Sequence, residues 1–72
     1  MDEKKMKKEV EKIVKKVIGK KLSDDKMEYL FLTFKAEYRN AISRNLKEDY
    51  ALNLARYYTK LEAEKIKKRG GQ

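Results

Sequence analysis

The chain has 72 residues, 20 of them Lys or Arg against 12 Asp or Glu, for a formal net charge of +8, and 40% are hydrophobic. That length allows one domain, near the lower limit for a self-sufficient core, since a chain of about 60 residues buries only about 60% of its unfolded surface. Cysteine and histidine are both absent, which excludes disulfides, thiolate chemistry, the usual zinc and iron ligand sets and the commonest general base.

Proline is also absent and glycine occurs only at Gly19, Gly70 and Gly71, so little interrupts a helix or supplies a hairpin turn. An all-α fold is expected, as a single domain over residues 1–72. The segment from Val10 to Leu22 is broken by lysines every few residues, unlike a signal peptide or a membrane span. A soluble, cytoplasmic protein is expected.

Over residues 3 to 19, Met6, Val10, Ile13, Val14, Val17 and Ile18 recur at spacings of three and four and lay one apolar stripe on a first helix. Gly19 is placed to close it, with Lys20 and Lys21 beside the negative end of the helix dipole. Ser23 then offers an N-cap, and Asp24 and Asp25 put carboxylates in the first turn of a second helix over about 24–44. Its apolar face reads Met27, Leu30, Phe31, Phe34, Tyr38, Ala41 and Ile42, with Leu22 positioned to staple its start.

Asn45 followed by Glu48 resembles a capping box, which would begin a third helix at Leu46 and carry it to about residue 68. Against a break there, the stripe continues through Leu46, Tyr50, Leu54, Tyr57 and Leu61. On one straight helix from Met27 to Leu61 that stripe would drift by roughly 160°. The spacing therefore predicts a small three-helix bundle, with one long bent helix as the alternative to the second and third. The tail, residues 69–72, is expected to be flexible and basic.

Two lysine-rich regions point to a polyanion. The first 22 residues carry nine lysines against four acids. Of these, Lys5, Lys8, Lys12, Lys15, Lys16, Lys20 and Lys21 are candidate phosphate contacts. Lys67, Lys68 and Arg69, with Lys60 and Lys65 nearby, form a second candidate set, a basic arm. The competing use of both sets is a solvated face that keeps a helical protein soluble. Arginine, the better reader of base edges, is sparse.

Phe34, Tyr38, Tyr50, Leu54, Tyr57 and Leu61 fall on the apolar stripes and are the candidate interface of a homodimeric helical bundle, since one small chain shelters that much apolar face only in part. Tyr29 and Tyr58 lie off the best stripe, where an exposed aromatic beside a base can stack on an unpaired nucleotide. Glu9 and Glu11, and the lack of Trp or Phe in the first helix, argue against a helix lying on a membrane.

Asp24 and Asp25 are explained by capping, and Ser23, Ser43, Thr33 and Thr59 have no histidine to activate them. No catalytic residue, metal or cofactor is expected. The sequence reads as a non-enzymatic nucleic-acid-binding or chromatin-associated module, or alternatively as a protein–protein adaptor or regulatory subunit that forms a helical bundle through its tyrosine-rich stripe; the expected partner is phosphate backbone or an acidic protein.

Overall fold

A computed structural model of the chain describes residues 1–69. Among them run three helices, α1 (Glu3–Val17), α2 (Asp24–Ser43) and α3 (Glu48–Lys68), with no strand. The helices form a compact all-α fold in which each packs on both others. The chain is therefore broken near Asn45, and the long bent helix does not form. The expected tail lies, apart from Arg69, outside the described residues.

Helix α1 starts at Asp2, whose carboxylate accepts the Lys5 backbone N–H at 2.8 Å. It buries Met6, Val10 and Val14. It stops at Val17, where the Val14 carbonyl accepts from both Ile18 and Gly19 at 2.8 and 3.1 Å. Gly19 sits at φ +79°, a left-handed conformation that costs glycine little and other residues more.

Helix α2 begins as its sequence predicts. The Ser23 hydroxyl accepts the Lys26 backbone N–H at 3.4 Å, and Leu22 is buried just before it. The helix turns Leu30, Phe31, Phe34, Tyr38 and Ala41 inward. Ile42, expected on that face, is instead 40% exposed.

Asn45 acts at the other end of the turn from the one its capping-box pattern suggests. It takes φ +64° and donates its N–H to the Ile42 carbonyl at 3.0 Å, while Leu46 donates to Ala41 at 3.1 Å. This pair of bonds closes α2 as a Schellman motif. Helix α3 then begins at Glu48 rather than Leu46, capped by Lys47 with no side-chain bond. Asn45→Ala is expected to lower stability by about 1 kcal/mol, because alanine pays the full left-handed penalty, while Asn45→Gly holds it level. Urea midpoints check this, and an equal loss in both variants would assign the effect to the side chain instead of the backbone.

Helix α3 also faces differently from its hydrophobic pattern. Ala51, Ala55, Thr59, Ala63 and Ile66 are its buried residues, whereas Tyr50, Tyr57, Tyr58 and Leu61 are exposed. Phe34, Met6, Leu30 and Val10, from α1 and α2, are among the largest fully buried side chains. Most of the large fully buried side chains thus come from two helices, and the third adds Ala51, Ala55 and Ala63, small residues that let its backbone approach them closely.

Side-chain bonds between helices reveal their directions. Arg56 of α3 pairs with Glu9 of α1 at 2.9 Å, and the Met1 amino group lies 3.9 Å from Glu48, so α1 and α3 run parallel. Tyr29 donates to Glu62 at 2.8 Å and Tyr38 to Glu48 at 3.0 Å, which sets α2 antiparallel to α3. The C-terminal ends of α1 and α3 consequently share one end of the bundle.

Candidate polyanion-binding groove

The acids of α1 are used within the fold and its lysines are not. Glu3 accepts from Lys35 at 2.7 Å and lies 3.7 Å from Arg39. The hydrogen bond and charge of Lys35 hold the Glu3 carboxyl below the usual carboxylate range. Glu9 receives both Nε and an Nη of Arg56, at 2.9 and 3.1 Å. That hydrogen bond lowers the Glu9 carboxyl and raises the Arg56 guanidinium. No α1 lysine makes an ion pair among the described residues. Lys7 instead rests with Lys35 near the face of Phe31, 5.5 and 5.7 Å from the ring centroid.

Between α1 and α3 lies an open groove of about 540 Å³. Ile13 and Val17 give it an apolar side, Lys16 enters from α1, and Lys60 and Lys67 enter from α3. Arg56, already held by Glu9, and Asn53 and Tyr57 complete the α3 wall. Four bases here meet one acid, Glu64. Lys12, one turn before Lys16, is exposed on the same side of α1 and helps lower the Glu9 carboxyl.

A second groove, of about 660 Å³, lies between α1 and α2. It gathers Lys15, Lys20 and Lys21 with Lys7, but Glu11, Asp24 and Glu28 line it too. Four bases against three acids leave little net field. The larger groove is therefore the weaker anion site.

All ten basic residues singled out from the sequence are exposed, but the fold divides them. Lys16 and Lys67 meet across the α1–α3 groove, with Lys12 beside them. Lys15, Lys20 and Lys21 go to the mixed groove. Lys5, Lys8, Lys68 and Arg69 line neither one. Lys60, read only as part of a terminal arm, lines the groove. Asn53 was missed, although Asn53, Arg56, Tyr57, Lys60, Glu64 and Lys67 recur at spacings of three and four that mark one polar helix face.

The candidate interface divides as well. Phe34 and Tyr38 are 0% and 6% exposed and belong to the core of the single chain, so they are not free to meet another one. Burial and the bond to Glu48 both raise the Tyr38 hydroxyl pKa. Tyr50, Tyr57 and Leu61 remain exposed and Leu54 is half-buried. Tyr29 is half exposed, with its hydroxyl pKa raised by the bond to Glu62, whose carboxyl is lowered in turn by Tyr29 and Lys65.

Among the described residues no His, Cys, Asp or Glu cluster is placed to hold a metal ion, and no helix is long and apolar enough to cross a membrane. No protein-family model, curated protein or solved structure matches the chain.

Proposed function

We propose that this chain is a small non-enzymatic nucleic-acid-binding module that contacts phosphates through the α1–α3 groove. The observation that carries this reading is the imbalance of that groove, where Lys16, Lys60 and Lys67 face one acid, Glu64, once Arg56 is counted with its partner Glu9, beside a helix whose lysines are all unpaired among the described residues. Unpaired lysines converging from two helices can neutralise neighbouring phosphates and release their counterions. Such contacts position a ligand without reading its sequence.

The test is fluorescence anisotropy of labelled duplex DNA, single-stranded DNA and RNA at two salt concentrations. With Lys12, Lys16, Lys60 and Lys67 each meeting one phosphate, affinity should fall roughly 50-fold for a single strand and roughly 150-fold for a duplex between about 50 and 200 mM salt. No binding at the lower salt would end this reading.

A second reading, a helical adaptor or homodimer, is favoured by one observation: Tyr50, Tyr57 and Leu61 are exposed along α3, with Leu54 beside them packed against the core. Light scattering should then give the mass of two chains, falling to one in Tyr50→Ala/Leu61→Ala. A wild-type mass of one chain across micromolar concentrations would count against it.

A further inference from the structure

We infer that the α1–α3 groove takes a single strand, with Tyr57 as the platform for one unpaired base and Lys16, Lys60 and Lys67 on the flanking phosphates; this rests on the phosphate-binding reading above. Tyr57 is the tyrosine that lines this groove, and at 56% exposure it offers more of itself to solvent than any other large hydrophobic residue. Its ring meets that of Tyr58 at a centroid distance of 5.2 Å and an interplanar angle of 75°, an edge contact that restrains it without laying a parallel ring over it.

The other tyrosines are occupied or badly surrounded. Tyr38 is buried, while Tyr29 lies against the Glu62 carboxylate and Tyr50 follows Glu48 and Asp49 directly, so that at both a phosphate would meet like charge. Tyr58, 41% exposed, lines neither groove, which leaves Tyr57 as the exposed ring in a groove with unpaired lysines.

The shape of the site argues in the same direction. Duplex readers push a convex helix or ribbon into a groove of the nucleic acid. Here the lysines line a concavity of the protein, and about 540 Å³ is the scale of a pocket for one small ligand. A splayed-out nucleotide fits that description, and a sequence-tolerant stack on an aromatic beside a basic track is how single strands are held.

The experiment compares a labelled oligo-dT of about ten nucleotides with an abasic strand of equal length, using wild type, Tyr57→Ala and Tyr57→Phe. Tyr57→Ala should weaken oligo-dT binding by roughly 5- to 150-fold, by the same factor at low and high salt. It should leave abasic binding within about twofold, and Tyr57→Phe should bind both strands like wild type, because stacking needs the ring and not the hydroxyl. If Tyr57→Ala binds oligo-dT normally, or loses both strands equally, the stacking inference falls while phosphate binding stands. If wild type binds neither strand at low salt, the phosphate reading falls and takes the inference with it.

Discussion

Phe34→Ala should lower the unfolding free energy by about 3–5 kcal/mol, seen as a large drop in urea midpoint at nearly constant slope. Phe34 is 0% exposed and the largest of the fully buried side chains. It sits mid-α2, one turn from Leu30 and one turn from Tyr38, both also buried. A chain of this length has a total stability of about 4–11 kcal/mol, so that one truncation removes a large part of it. The neighbouring Leu32, 49% exposed, provides the control. Leu32→Ala should stay within about 0.5 kcal/mol of wild type. Equal effects in the two variants would mean that α2 is rotated from the face described.

Reversal of three groove lysines, in Lys16→Glu/Lys60→Glu/Lys67→Glu, should abolish measurable binding to single strands at moderate salt. Each reversal removes two charges, so the variant falls from +8 to +2, and that change alone would weaken any polyanion contact. The informative comparison is therefore Lys15→Glu/Lys20→Glu/Lys21→Glu, which has the same net charge but alters the groove already rich in acids. It should bind detectably, with loss confined to the long-range part of the attraction. Circular dichroism should find both variants helical, because all six lysines are exposed. Equal loss in the two would assign binding to overall charge and remove the groove from consideration.

The first two helices were legible because they follow the simplest rule: large aliphatic and aromatic residues at three- and four-residue spacing face inward, as Met6, Val10, Val14, Leu30 and Phe34 do. Ser23 announced the start of α2 for an equally local reason, a free helix end that needs an acceptor. Helix α3 defeated the same rule. Its pattern is read by weighing side chains for apolar size, which selects Tyr50, Leu54, Tyr57 and Leu61. Once two helices have filled the core, the third is chosen for closeness, and alanine wins. Asn45 was correctly read as a break, but its left-handed backbone belongs to the end of α2, and a sequence match to a capping box does not reveal φ. The groove was legible only in halves. Lys16 and Lys67 are 51 positions apart in the sequence, and only the parallel run of α1 and α3 makes them neighbours.

That parallel run means that folding does electrostatic work. Bringing the lysine-rich ends of α1 and α3 side by side raises the repulsion between them above its value in the unfolded chain, and ions that shorten the Debye length, about 10 Å at 0.1 M, relieve it. If the groove binds phosphate as proposed, stability and affinity should respond to salt with opposite signs: added salt should firm the fold and weaken binding. A polyanion bound in the proposed way would escape this opposition, neutralising the crowded end and favouring the folded state at once, and so should raise the melting temperature most where simple salt is lowest.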